Sequence, residues 1–328
     1  MKKIFVTGAD GFVGSNLVRE LISRKYEVVG FIQDNVNPIT IKDLDIDIRY
    51  GDLLDKQSIE SNLQNCDCVI HTAAITSIWP YRSDIQKKVN IDGTKNLVES
   101  SINTGIERFI HIGTANSFGF GTKNNPGNES KPYMAGIQKM DYMDTKYVAQ
   151  QYLLAQVKEN NFPAIILNPT FMFGPYPVRP GSAKMIESIY KNKVPGYTKG
   201  GRTFIAVKDV CVAVVNAVEL GRIGECYILG NEHYSYKEIF NIIANVVGKK
   251  APVIYMPGFI VILYSIINTL AARIGSFEPA ISYRMALASF AETYYSSDKA
   301  VKELKMPQTS VKIAIEEAFT WLKENNYL

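Results

Sequence analysis

Three glycines spaced three apart, Gly8, Gly11 and Gly14, follow a short apolar run at the start of the chain and precede a stretch of helical periodicity. Few folds accept that arrangement. Lys2-Lys3-Ile4-Phe5-Val6-Thr7 is β-branched and aromatic and reads as a buried strand, and 15–22 carries apolar residues at helical spacing. Between them Gly8 permits a tight turn, Gly11 lets the backbone approach a pyrophosphate, and Gly14 lets the helix pack closely on the strand. The helix N-terminus then turns its N–H groups and the positive end of its dipole toward phosphate. The spacing is G-x-x-G-x-x-G, not the G-x-G-x-x-G of the dinucleotide fingerprint, and three glycines alone also fit an ordinary strand–helix turn. The strand before, the helix after and a second strand at Glu27–Ile32 favour the dinucleotide.

Strand-like runs recur at 4–7, 27–32, 46–50, 68–71, 108–112 and 164–167, with helix-like segments between them. Such alternation predicts an α/β fold, a Rossmann-type doubly wound parallel sheet with the cofactor at the carboxyl ends of its strands. The dinucleotide-binding domain is expected over 1–170, with 204–230 returning to it through strands at 204–207 and 226–229. Residues 171–203 and 231–328 are expected to form a smaller, mainly helical substrate-binding domain interleaved with the first. It opens with the loops Gly174-Pro175-Tyr176-Pro177 and Arg179-Pro180-Gly181. The polar loop 123–131 is placed to shape the site entrance.

A second motif, Tyr142-Met143-Asp144-Thr145-Lys146, puts a phenol and an ammonium one turn apart on a helix face. A free phenol has a pKa of about 10, too high for easy proton exchange near neutrality, and an adjacent cation favours the phenolate. Alone, Tyr-x-x-x-Lys is a common surface pair. Downstream of a dinucleotide loop it supplies the proton donor that carbonyl or alcohol redox chemistry requires.

Composition narrows the alternatives. The net charge of +4 is spread along the chain without a Lys/Arg block, so a nucleic-acid partner is not expected. Cys66, Cys68, Cys211 and Cys226 lack metal or redox spacing and read as free thiols of a reducing cytoplasm. His71, His111 and His233 are too scattered for a metal site, and structural hydrogen bonding is the expected role of the first two. The first strand begins almost at Met1, so no signal peptide is expected and a cytoplasmic location follows. Residues 254–274 are conspicuously apolar yet short of the roughly 20 needed to cross a bilayer. They read as a buried helix of the substrate domain, a wall of a greasy pocket, or a helix making weak contact with a membrane surface.

Several motifs in one order resemble the extended short-chain dehydrogenase/reductases of the NAD-dependent epimerase/dehydratase superfamily. The nearest resemblance is to dihydroflavonol 4-reductase-like and 3β-hydroxysteroid dehydrogenase-like members. Residues 7–14 match T-G-x-x-G-F-x-G, and Gly51-Asp52-Leu53 matches G-D-L. Residues 67–74 match D-x-V-x-H-x-A-A, and Asn90-Ile91-Asp92-Gly93-Thr94 matches N-x-x-G-T. Residues 168–175 match R-P-x-x-x-Y-G-P, with Asn168 in place of Arg and Phe173 in place of Tyr.

The resemblance implies NAD(P) as cofactor, held at the loop by Gly8, Asp10, Gly11, Phe12 and Val13. Gln33 would lie by the adenosine ribose, and Asp52 and Leu53 by the adenine. Thr72, Ala73, Ala74, Asn168, Pro169 and Thr170 would also be cofactor-binding residues. It implies Tyr142 as general acid or base, Thr114 as a hydrogen-bond donor to the substrate oxygen, and Lys146 as both cofactor ligand and electrostatic aid to Tyr142. It also implies Asn90 as support for Lys146 through water. NADP-preferring relatives carry Arg where this chain has Gln33, NAD-preferring epimerases carry Asp where it has Ile32, and Asp34 lies just beyond, so NAD versus NADP stays open. Dehydratases follow their Thr with an acidic pair; here Ala115-Asn116 follows, which argues against dehydration. The expected activity is hydride transfer on a ketone or secondary alcohol of a largely apolar molecule. A sugar-nucleotide epimerase with retained cofactor is the alternative, and a cofactor-sensing protein on the same fold is a third. A homodimer is implied, packed through the helices that carry Asn90 and Tyr142.

Overall fold

A computed structural model describes residues 2–177 and 181–328. The expected loop at Arg179-Pro180 lies outside the described residues. Seven parallel strands form the main sheet: β1 (Lys3–Thr7), β2 (Glu27–Ile32), β3 (Asp47–Tyr50), β4 (Cys68–His71), β5 (Arg108–Ile112), β6 (Ala164–Pro169) and, as its last member, Cys226–Leu229. Their spatial order is β3-β2-β1-β4-β5-β6 followed by the 226–229 strand. The order reverses between β1 and β4, the crevice where doubly wound sheets bind dinucleotides.

Alternating side chains feed two cores, one on each face. Ile4, Val6, Ile110 and Ile112 join a cluster with α1 (Phe12–Ser23). Phe5, Val69 and Phe109 join another with α2 (Lys56–Leu63). A short helix, α3 (Asp84–Lys87), runs through a π-helical turn at Lys88–Asp92 into α4 (Gly93–Thr104), and with α5 (Asp141–Asn160) α4 completes the second face. Because the central strands are covered on both sides, they are apolar nearly throughout.

The smaller region is built on a sheet of its own. β7 (Phe171–Phe173) pairs parallel with β8 (Gly201–Ala206). After the seventh main-sheet strand, here β9, β10 (Glu232–Ser235) and the two-residue β11 (Glu292–Thr293) also pair with β8. The expected return of 204–207 to the main sheet is therefore corrected: only β9 returns. Val207 instead opens α7 (Val207–Leu220), which packs on α1, and the preceding α6 (Ala183–Tyr190) sits in the third core. Alternation explains the error. In β8 Phe204 and Ala206 face the third core while Ile205 faces the first, so the run looks as buried as a main-sheet strand.

The third core also gathers α8 (Tyr236–Val247), and α9 (Gly258–Gly275) and α10 (Tyr283–Ala288) lie beyond it. α11 (Asp298–Leu304) contributes Ala300 and Leu304 to the first core, so part of 231–328 serves the dinucleotide half; α12 (Val311–Glu324) belongs to the third core. All four cysteines are free thiols, three of them buried.

Candidate active site

The glycine turn meets the loop after β4 at the crevice. Gly8 has φ +64°, and a Cβ on it would stand 2.8 Å from Ala73 Cα. A Cβ on Gly14 would stand 2.1 Å from the Gly8 carbonyl oxygen. Thr72 Oγ1 donates to the Thr7 carbonyl at 2.7 Å, and Thr7 Oγ1 accepts from Ala73 N at 3.3 Å, so the two loops are tied together. Gly11 is the N-cap of α1 and brings no capping side chain, which leaves the first-turn N–H groups at Phe12 and Val13 without a side-chain partner. A close-packed glycine cradle and an uncapped helix start fit a dinucleotide pyrophosphate. Gly8, Asp10, Gly11, Phe12, Val13, Thr72, Ala73 and Ala74 thus come together around the ends of β1 and β4.

Gln33 follows β2 and is exposed, as is Asp34. Asp52 and Leu53 follow β3, where the Asp52 carboxylate accepts from Leu54 N at 2.9 Å. Arg19 does not offer its guanidinium freely: it donates to the Ser15 and Thr40 carbonyls and stacks on Tyr176 at 3.7 Å.

Tyr142 lies in the first turn of α5, half-buried. Burial pushes its phenol pKa up from the usual value, and the Thr114 hydroxyl beside it pulls the other way. Thr114 follows β5 and is buried. Its oxygen accepts from Asn116 N at 3.4 Å and Asn116 Nδ2 at 3.3 Å, so its own proton is free to point at Tyr142 or a substrate oxygen.

Lys146 reaches back toward β5. Its ammonium is buried and donates to the Ile112 carbonyl at 2.6 Å, with His111 Nε2 at 3.3 Å. The carbonyl dipole of Ile112 draws the charge back toward β5. Desolvation brings the Lys146 pKa down to about 7.

His111 was not among the expected site residues. As acceptor from an ammonium it must carry its proton on Nδ1, and that atom has no partner. A period-2 reading of β5 would have found it. His111 shares a strand face with Phe109, which packs in the core that α5 covers. Its neighbour His71, ring centroids 5.2 Å apart, does play the expected structural part, bonding Thr7 Oγ1 at 2.8 Å and Thr94 Oγ1 at 3.0 Å. Burial first, and then Lys146, hold His71 down at about 3 and His111 well below its usual value.

Two asparagines have other direct partners. Asn90, in the π-helical turn, bonds the Ile75 backbone at 2.8 and 3.0 Å and Thr145 Oγ1 at 3.1 Å, one residue before Lys146. It fixes the loop after β4 and the helix turn that carries Lys146. Asn168 was expected at the cofactor, but it is fully buried and donates to the Thr114 carbonyl at 3.0 Å and Gln150 Oε1 at 2.8 Å. Its short side chain fits under Gly113, where a Cβ would stand 2.4 Å from Asn168 Nδ2. It therefore positions Thr114. Pro169 is buried beside it, and Thr170 N donates to the Leu229 carbonyl at 2.8 Å.

Lys146 is the group here that titrates between pH 6 and 9: His71 and His111 stay neutral and Tyr142 lies above the range. Unfolded, a lysine titrates near 10.4. Between the two values the unfolded chain binds more protons, so the wild type gains stability as pH rises from 7 to 9, by about 2 kcal/mol. Lys146→Met removes that gain. Thermal melts of both proteins across this range should show the variant more stable at low pH and the difference shrinking as pH rises. Parallel curves would rule the buried ammonium out.

Residues 4–230 match the NAD dependent epimerase/dehydratase family, and the chain belongs to it. It is an enzyme of the extended short-chain dehydrogenase/reductase type that uses a nicotinamide dinucleotide. A Synechocystis protein named for dihydroflavonol 4-reductase is 29% identical, over 99% of this chain and 95% of its own length. Sterol demethylase protein B of Methylococcus capsulatus is 26% identical over 98% of this chain and 99% of its own. The crystal structure of gox2253 aligns over 100% of both chains with TM-score 0.88 and 28% identity.

Proposed function

We propose that this protein is an NAD(P)-dependent oxidoreductase that reduces a ketone, or oxidises a secondary alcohol, of a largely apolar small molecule. The observation that carries the reading is the convergence of Tyr142 and Thr114, with Lys146 one helical turn away, at the carboxyl edge of the sheet beside the glycine cradle. A bound nicotinamide supplies or accepts the hydride. Tyr142 gives its proton to the carbonyl oxygen in reduction and recovers it in oxidation. Thr114, its oxygen already accepting from Asn116, donates to the same substrate oxygen. Lys146, released from the Ile112 carbonyl toward the cofactor ribose, favours the phenolate. The names of two relatives carry a dihydroflavonol and a sterol, and Thr114 is followed by Ala115-Asn116 in place of a dehydratase's acids.

The test begins with the purified protein. Copurified nucleotide is released by heat and identified by chromatography, NADH and NADPH are titrated by nicotinamide fluorescence, and a panel of apolar ketones is screened for net cofactor oxidation. Freely exchanging cofactor consumed by a ketone is the expected result. Tightly retained NAD, with turnover of a nucleotide sugar and no net consumption, would replace the reading with epimerisation.

A further inference from the structure

Helix α9 is turned inside out. The positions it buries are Val261, Ser265, Thr269 and Ala272, and both hydroxyls among them donate to carbonyls of their own helix. Outward it shows Phe259, Leu263, Ile267, Leu270 and Ile274, with Phe259 73% and Ile274 87% exposed. A surface helix of a protein surrounded by water does the reverse. The helix is long and apolar enough to cross a membrane, yet only 22% of that window is buried, so it is no core helix. The expectation of a buried helix at 254–274 is thereby corrected. The apolar surface continues into Val253, Ile254 and Tyr255 on one side and Phe277 on the other.

Charge says what covers this surface. Between Ala251 and Phe277 the single charged residue is Arg273, at the end of the helix, and Lys249 and Lys250 stand just before the stretch. No carboxylate interrupts it, and Glu278, which follows Phe277, is held by Lys184 at 2.9 Å. An apolar face with a cation at each end is complementary to acyl chains beneath anionic headgroups. A second copy of the chain suits it poorly, because pairing α9 with itself sets like charges together at the ends. Spanning is also disfavoured: Tyr283 N donates to Thr269 Oγ1 at 2.9 Å, which fastens the polar side of α9 to the start of α10.

We propose that α9 docks this protein on the surface of a bilayer containing anionic lipid, lying in the interface with Phe259, Leu263, Ile267, Leu270 and Ile274 among the acyl chains and Lys250 and Arg273 at the headgroups. Behind the docked face, the buried side of α9 is linked through α10 to the start of the catalytic helix. Arg284 of α10 donates to the Gln138 carbonyl, its backbone N–H meets Tyr81 Oη at 3.3 Å, and the Tyr81 carbonyl accepts from Asp141 N, the first residue of α5, at 2.9 Å. Docking in this orientation would hold the catalytic helix close to the membrane surface, where an apolar substrate is concentrated. That consequence rests on the proposed function, whereas the docking stands without it.

Flotation of the full chain with vesicles of mixed phosphatidylcholine and phosphatidylglycerol, and of phosphatidylcholine alone, tests the docking. The wild type should float with the mixed vesicles and less with the neutral ones. The Leu263→Glu/Ile267→Glu double variant should stay with the lipid-free fraction. Arg273→Glu, which disturbs no packing, should bind the mixed vesicles about ten-fold more weakly. Both variants should keep the wild-type circular dichroism, NADH affinity and sedimentation coefficient. Wild type that ignores both vesicle types overturns the proposal, and so does a double variant, or Arg273→Glu, that binds the mixed vesicles as tightly as the wild type. A double variant that falls to half the wild-type mass, with no vesicle binding by either protein, overturns it in favour of a second copy. None of these readouts needs the substrate, so a failed ketone screen leaves them intact.

Discussion

Tyr142→Phe should lower turnover about a thousand-fold while NADH binds as before. The phenol is the proton donor that the site offers to a substrate oxygen, and a positioned general acid or base typically contributes about 10²–10⁴-fold. The substitution removes one oxygen from a half-buried ring and leaves Thr114 anchored to Asn116, so geometry and stability change little. Steady-state kinetics on the ketone found by screening, set beside a fluorescence titration of NADH, would separate chemistry from binding. Turnover within ten-fold of wild type would remove Tyr142 from the mechanism and with it the proposed reaction. A parallel loss of NADH affinity would show that the ring is needed for the fold of the site and not for its proton.

Gly14→Ala should produce the largest loss in cofactor binding. The new methyl would stand 2.1 Å from the Gly8 carbonyl oxygen and 2.9 Å from Ala9 Cα, both backbone atoms that cannot turn aside as a flexible side chain would. Either α1 moves away from β1 or the turn at Gly8 opens. Each displaces the N–H groups that face the pyrophosphate, and overpacking of this kind costs about 1–3 kcal/mol. A fall of about 100-fold in NADH affinity is expected, because that many kcal/mol at the contact corresponds to one or two powers of ten. Gly258→Ala, whose methyl would meet only Phe290 ring atoms at 3.7 Å, serves as the control and should bind NADH normally. Normal NADH affinity in Gly14→Ala would show that the helix tolerates more space at its start than the geometry allows.

The cofactor half was legible in the sequence because its demands are local. Glycines are required where backbone meets backbone, and strands buried on both faces are apolar throughout. The strand at 27–32, for instance, needed only its own composition to be placed. What was missed depended on contacts distant in sequence. His111 reaches Lys146 only because β5 turns one face toward α5, and nothing near His111 in the chain announces a lysine 35 residues on. Asn168 matched a cofactor motif by position, yet the buried Gln150 amide and the Thr114 carbonyl claim its side chain. For α9 the composition was plain but its direction was not. A helix of mixed apolar residues with Ser265 and Thr269 gives no sign of which side the rest of the protein will take.

Strand β8 behaves as a party wall between two tenants. Phe204 looks into the core of the smaller region, and its sequence neighbour Ile205 looks into the core that α1 shares with the main sheet. Variation can therefore redecorate one side without disturbing the other, so long as it respects the parity of the strand. A chain rebuilt at Phe204 or Ala206 would repack the smaller region, and one rebuilt at Ile205 would repack the core behind the glycine turn.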